Sequence, residues 1–352
     1  MPFLKCTGRI GFYGVGFPLG CCIVCGRRHA GEGPFGDAQG GSEPHLLRRR
    51  GLKRILITGA SGPIGTALLA SFAAQGDEIV RMVRGRAQNA TQVSWDPLAP
   101  VSPASVSGFD VVVHLAGESV VGRWTDEKKK VIRDSRVQGT RNLATALAQC
   151  EARPGVLVCA SAIGFYGNRG DEVLSEDSPA GHGFLPEVCR EWEDASQIAA
   201  SAGIRTVNVR IGVVLSPKGG ALEKMLTPFK LGLGGRLGSG QQWFSWIHVD
   251  DIVGAIQHAI GTDSGASGLS GPVNLVAPNA VRNLEFTKVL ASVLGRPAIF
   301  PVPELALRLA FGKQAAEEML LASQRVQPGK LGSSGYKFRF RDLRAALENL
   351  AQ

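Results

Sequence analysis

Apolar positions along this chain gather into short continuous runs, separated by longer stretches with helical spacing. Runs at 55–58, 79–83, 93–95, 110–115, 156–160 and 206–211 predict six parallel-type strands. A strand buried on both faces reads as a block of Val, Ile and Leu rather than as an alternation. Between them, 66–74, 125–149 and 185–202 predict helices. In the longest, Val131, Ile132, Val137, Leu143, Ala144 and Leu147 keep a helical period. Strand alternating with helix is the pattern of an α/β fold with a Rossmann-type doubly wound parallel sheet. After residue 211 the chain changes character. Segment 231–240 (LGLGGRLGSG) is glycine-rich, 250–260 predicts a helix, 273–276 a short strand and 285–294 a further helix. Helices at 304–311, 314–323 and 343–350 complete a smaller C-terminal α/β part. It is expected over the carboxyl edge of the sheet, where open α/β folds bind ligands.

The first strand runs into RILITGASGPIG, residues 54–65, with Gly59, Gly62 and Gly65 at GxxGxxG spacing before the first helix. Strand, glycine turn and helix together let a dinucleotide pyrophosphate sit on a helix N-terminus. Gly59 permits the tight turn, Gly62 removes a Cβ where phosphate approaches, and Gly65 lets the helix lie close on the strand. An NAD site wants an acidic residue at the end of the second strand, and none is there; the chain reads Val83-Arg84-Gly85-Arg86. A guanidinium at that place pairs with a 2′-phosphate, so NADP(H) is expected ahead of NAD. The expected boundaries are 51–296 for the nucleotide-binding domain and 297–350 for the small C-terminal domain.

The net charge of +9 over 352 residues suggests nucleic acid until its placement is read. Residues 1–54 hold nine Lys/Arg against three acids, leaving only +3 for the rest. The folded body is near neutral, which excludes a nucleic-acid function. The same segment holds four of the seven cysteines (Cys6, Cys21, Cys22, Cys25), and the Cys22-x-x-Cys25 pair has no second pair to complete a metal site. No metal is expected, and free thiols fit a reducing compartment. Residues 1–50 read as an extension, either disordered or the product of a start assigned too far upstream. No stretch is long and apolar enough for a membrane span. A cytoplasmic protein with a small-molecule substrate is expected, with homo-oligomerisation left open.

TGASGPIG (58–65), HLAGE (114–118), SAIGFYG (161–167), VRIGVVLS (209–216), PFKLGLGGRLGSGQQWFSWIHVDD (228–251) and RVQPGKLGSSGYKF (325–338) together resemble one branch of the extended short-chain dehydrogenase/reductase superfamily. The branch is the epimerase-family group of nucleoside-diphosphate-sugar epimerases and NADP-dependent oxidoreductases, with a C-terminal domain of unknown function. The resemblance covers about 52–350. It implies bound NADP(H), with Gly59, Ser61, Gly62, Pro63, Ile64 and Gly65 as the phosphate loop. Val83 and Arg84 would line the adenosine end, and Leu115 and Ala116 would pass under the ribose and nicotinamide. Lys130 and Arg136 would reach the cofactor from the long helix, and Val214 would abut the nicotinamide.

Hydride transfer in that superfamily uses a Ser/Thr–Tyr–Lys arrangement, in which Tyr is the acid/base. Ser161 matches the Ser. Aligned on Glu193, the Tyr position is Leu185 and the Lys position is Cys189, so the usual pair is absent. Two substitutes are expected: Tyr166 in the FYG turn, and Glu118 as a partly buried general acid. Trp243, Phe244 and Trp246 are expected to close over substrate with the glycine-rich loop. The functional expectation is hydride transfer on a small polar, sugar-like substrate. The alternative is a non-catalytic NADP(H) binder acting as a structural or redox-sensing protein.

Overall fold

The computed structural model describes residues 51–261 and 268–351. Expectations for 1–50, the Cys22-x-x-Cys25 pair among them, lie outside the described residues. Seven strands form one parallel sheet: β1 (Arg54–Thr58), β2 (Glu78–Arg84), β3 (Gln92–Trp95), β4 (Val111–His114), β5 (Val156–Ala162), β6 (Arg205–Ile211) and β7 (Gly271–Leu275). Their order is β7-β6-β5-β4-β1-β2-β3. The direction of winding reverses between β1 and β4, which pair with Ile55 opposite Val111 and Thr58 opposite His114. That reversal opens a crevice at the carboxyl ends of the two strands. β7 covers the stretch read from sequence as a short strand at 273–276. In the structure it pairs with β6, Val273 opposite Val209, and forms an edge.

The apolar blocks are two faces superposed. Ile55, Ile57, Val111, Val113, Val156 and Val158 point to one side, against Leu68 and Phe72 of α1 (Pro63–Ala74) and Ile252 and Ile256 of α5 (Val249–Gly261). Their alternates Leu56, Val112, Leu157 and Cys159 point to the other, against Leu143 and Leu147 of α2 (Asp126–Gln149) and Trp192 of α3 (Phe184–Ser201). Period-two alternation with both faces covered yields a continuous hydrophobic run.

A second cluster joins α4 (Gly220–Lys230), α6 (Asn283–Leu294) and α8 (Leu343–Ala351) around Phe229, Trp246, Phe286 and Leu347. Helix α4 escapes the sequence pattern because Gly219 caps it, Gly220 opens it and Pro228 sits inside it. The helix expected over 314–323 is instead a short turn at Lys313–Ala315 and a π-helical turn at Ala316–Leu320. It follows α7 (Glu304–Phe311). Asp251, 1% exposed, ties the closing segment to this side: its carboxylate accepts from the Arg339 and Phe340 amides at 2.7 and 2.9 Å and from the Tyr336 hydroxyl at 3.1 Å.

Candidate functional site

The crevice begins at the turn between β1 and α1. Gly59 takes φ +67°, and a Cβ there would lie 2.7 Å from the Leu115 carbonyl carbon. The glycine lets the turn cross directly over the end of β4. A Cβ at Gly65 would meet the Gly59 carbonyl oxygen at 2.3 Å, so this residue sets how closely helix lies on strand. Gly62 differs: a Cβ there meets only the Gly59 oxygen, at 3.4 Å. Nothing inside the protein demands that glycine. It is the N-cap of α1, with no side-chain cap and no acid in the first turn, followed by Pro63. The positive end of the helix dipole is left free.

A cavity of about 520 Å³ extends from this helix end. Gly59, Ser61 and Gly62 form one end, Val83 and Arg84 another, and Leu115, Ala116 and Glu118 the floor. A neighbouring cavity of about 480 Å³ shares Arg84, Trp95 and Glu118 and adds Lys130 and Asp134. The structure therefore brings together most of the residues expected to bind cofactor. Arg84 is exposed, and its guanidinium makes no hydrogen bond or ion pair among the described residues. Lys130 is ion-paired with Asp134 one helical turn on. Ile64 and Gly65 lie behind the turn in the first turn of α1. Val214 pairs with Ile247 beside the sheet and packs against the main core. Arg136 serves the floor from below. Its Nη1 donates to the Glu118 carbonyl at 2.8 Å and the Ile132 carbonyl at 3.2 Å, and its guanidinium would be 3.2 Å from a Cβ at Gly117.

The floor has a support that the sequence reading did not assign. The Thr58 hydroxyl oxygen accepts from the amides of both Leu115 and Ala116 at 3.1 Å. It lies 2.7 Å from His114 Nδ1, while Nε2 lies 2.9 Å from the Thr140 hydroxyl. Thr58 and His114 are fully buried, Thr140 nearly so. Burial lowers the His114 pKa to about 4, so the ring is neutral. With its two amide donors served, the Thr58 hydroxyl donates to Nδ1 and the Nε2–H points to Thr140. The visible signal was a histidine and two threonines in apolar surroundings, which nothing in the sequence joined.

The expected chemical groups are otherwise engaged. Glu118 Oε1 accepts from Lys128 Nζ at 2.9 Å. That ammonium holds the carboxyl below the usual range, against a smaller opposing effect of burial. Glu118 is thus an ionised carboxylate at neutral pH, and the general acid expected there is corrected to an anion that orients Lys128. Tyr166 is fully buried and does not line the crevice cavities. Its hydroxyl donates to Asn274 Oδ1 at 2.7 Å and accepts from Arg210 Nη1 at 3.0 Å. Burial raises the phenol above its ordinary value. Ser161 donates to Glu193 Oε1 at 2.6 Å, and Glu193 holds Arg210 through both oxygens at 2.8 Å. Cys189, in the Lys position, is a buried thiol pushed up to about 12 by desolvation. Among the described residues no group of His, Cys, Asp or Glu is placed to hold a metal.

The aromatic lid is not formed. Trp246 is fully buried and donates to the Asn279 carbonyl at 2.9 Å, and Phe244 packs on Phe286. Trp243 lies between the guanidinium groups of Arg282 and Arg325, at 4.1 and 4.4 Å. His248 is stacked on Phe340 at 3.9 Å.

Comparison with known proteins places this geometry. Residues 55–270 match the NAD dependent epimerase/dehydratase family, and residues 302–350 match a domain of unknown function, DUF1731. The epimerase family protein Mb2239 of Mycobacterium bovis is 41% identical over 295 residues, covering 83% of this chain and 96% of its own. The crystal structure of human epimerase family protein SDR39U1 (isoform2) with NADPH superposes with a TM-score of 0.77 at 36% identity, over 85% of this chain and 99% of that one. A UDP-galactose 4-epimerase structure, at 22% identity and a TM-score of 0.65 over 85% and 98% of the two chains, shares the fold. No helix of the described residues is long and apolar enough to cross a membrane.

Proposed function

The chain belongs to the NAD dependent epimerase/dehydratase family, and from that premise we propose that it binds NADP(H) along the crevice and serves hydride transfer to or from a small molecule. The observation that carries this reading is the pairing of an uncapped helix start at Gly62 with an unengaged Arg84 guanidinium across one cavity. The amides of the first turn of α1 suit a pyrophosphate, and Arg84 suits a 2′-phosphate. The relative SDR39U1, crystallised with NADPH, supports the same choice of coenzyme. When bound, the coenzyme supplies or accepts the hydride. Leu115 and Ala116, fixed by Thr58, would carry its ribose end. Lys128 is paired with Glu118, whose carboxylate lines the cavity.

A second reading is favoured by one specific observation. Ser161, Tyr166 and Cys189 are buried, and the two hydroxyls are committed to a closed hydrogen-bond network. A chain so arranged suits a coenzyme-binding protein without turnover. Calorimetry with NADPH, NADP and NAD, followed by a carbonyl panel with NADPH, separates the readings. Arg84→Asp should lower NADP(H) affinity by about ten- to a hundredfold, the worth of a charged hydrogen bond, and spare NAD. Equal affinities of the variant and the parent for NADPH would overturn the phosphate assignment.

A further inference from the structure

Independently of the coenzyme, we propose that α7 and the two segments beside its start, 231–238 and 297–302, form a docking surface for a bilayer bearing anionic lipid headgroups. Helix α7 reads ELALRLAF over eight residues, and Leu307 is its only buried one. A helix this short does not persist in water on propensity alone; packing of an apolar face normally holds it. Here Leu305 and Leu309, one turn apart on the same face, are open to solvent. The chain before α7 has the same character. The Val302 amide donates to the Arg236 carbonyl and the Gly238 amide to the Val302 carbonyl, each at 2.9 Å. A Cβ at Gly232 would lie 3.6 Å from the Pro297 ring. The two segments thus run side by side, and α7 follows directly from the second. Leu231 and Leu233 stand on one, Ile299 and Phe300 on the other. These four and the two α7 leucines are each between 54% and 71% exposed. At roughly 100 Å² of apolar surface per side chain, they present roughly 600 Å² together, the upper end of what a monomer leaves uncovered.

Charge decides what covers this face. Segments 230–240 and 296–313 carry Lys230, Arg236, Arg296, Arg308 and Lys313 against one acid, Glu304. That acid is paired with Arg308 at 3.3 Å. Lys230, Arg296 and Lys313 are exposed and make no ion pair among the described residues. A second copy of the chain placed on this face by a two-fold axis would set these cations against their own equivalents, which repels. An anionic bilayer surface suits both features. The apolar side chains enter the boundary between headgroups and acyl chains, and each Lys or Arg near the surface adds attraction. Attached in this way, the protein lies on one leaflet and needs no spanning helix.

The full chain is mixed with vesicles of phosphatidylcholine alone, or of phosphatidylcholine and phosphatidylglycerol in equal parts, and the bound fraction is read by co-sedimentation. Binding is expected on the anionic vesicles, about a hundredfold weaker on the neutral ones, and reduced by added salt. Phe300→Ser and Leu309→Ser should each weaken it about tenfold, and Arg296→Gln about fivefold. All three positions are exposed, so the variants should keep the parent's Tm and NADPH affinity. Equal binding to both kinds of vesicle, binding to neither, or binding that these substitutions leave unchanged overturns the proposal. So does a dimer in sedimentation velocity that Phe300→Ser and Leu309→Ser dissociate, since a second copy would then cover the face.

Discussion

Gly62→Ala and Gly65→Ala add the same methyl group three residues apart, and the structure assigns them opposite consequences. At Gly65 the new Cβ falls 2.3 Å from the Gly59 oxygen and 2.7 Å from the Ala60 Cα, both backbone atoms, so turn and helix must separate. Overpacking of that kind costs about 1–3 kcal/mol. In a domain of this size that is a fall of about 2–4 °C in Tm per kcal/mol. At Gly62 the backbone is extended, φ −74° and ψ 167°, a conformation alanine adopts freely. Its nearest new contact is a single oxygen at 3.4 Å. Reduced freedom of the unfolded chain offsets the weaker N-cap, leaving stability within about 0.5 kcal/mol of the parent. The methyl group does protrude toward the cavity at the helix start, where a pyrophosphate would lie against the amides. Losing one or two charge-assisted hydrogen bonds there weakens NADPH binding by about ten- to a thousandfold. Thermal unfolding and calorimetry on both variants read the two effects separately. Gly62→Ala with unaltered NADPH affinity, or with a Tm loss equal to that of Gly65→Ala, would refute the division between structural and ligand-facing glycines.

The other expected outcomes concern buried polar groups. His114, with a pKa of 6.5 unfolded and about 4 folded, makes stability fall as pH drops between those values. Only the unfolded chain takes up the proton there, so the loss reaches about 3 kcal/mol and then levels off; denaturant unfolding across that range should show the slope, and His114→Gln should remove it. Asp251→Ala leaves the Arg339 and Phe340 amides without their acceptor, while the Tyr336 hydroxyl keeps the backbone carbonyl of residue 251 at 3.0 Å. It should cost about 2–4 kcal/mol and speed hydrogen exchange over 336–340 with cofactor affinity intact. Tyr166→Phe should lower stability by about 1–3 kcal/mol, because Asn274 and Arg210 lose a buried partner. Full retention of stability with loss of turnover would instead return Tyr166 to a chemical role.

Most of the sheet was legible because its strands bury both faces, which turns each into an unbroken apolar block bounded by polar residues. The exceptions have local causes. Strand β7 opens with Gly271-Pro272 and looked like a fragment, although Val273 and Leu275 are buried against β6. Helix α4 contains Pro228 and starts on the pair Gly219-Gly220, so its period was masked. The π-helical turn at Ala316–Leu320 has the composition of an ordinary helix. There the Glu318 carboxylate caps a helix more than a hundred residues earlier in the chain, a long-range contact no local propensity encodes.

The cofactor end of the site was legible for a different reason: its shape is set by backbone, not by side chains. Glycine at Gly59 and Gly65 is imposed by atoms a few residues away or on the neighbouring strand, so sequence spacing and geometry are nearly the same information. The chemical end depends on which partner each side chain finds, and partners lie far apart in the chain. Glu118 looked like a raised carboxyl acid until Lys128 on α2 reached it. Tyr166 looked available until Arg210 and Asn274 closed around its hydroxyl. Ser161 kept the family position yet gives its proton to Glu193, whose charge is balanced by that same arginine. Buried polar groups need partners, and Ser161, Glu193, Arg210, Tyr166 and Asn274 find them in one another. The absent Tyr–Lys pair and this closed network then have one physical consequence: Leu185 and Cys189 bring apolar groups to the positions that carry polar chemistry in the superfamily, and the hydroxyls that remain hold the fold together.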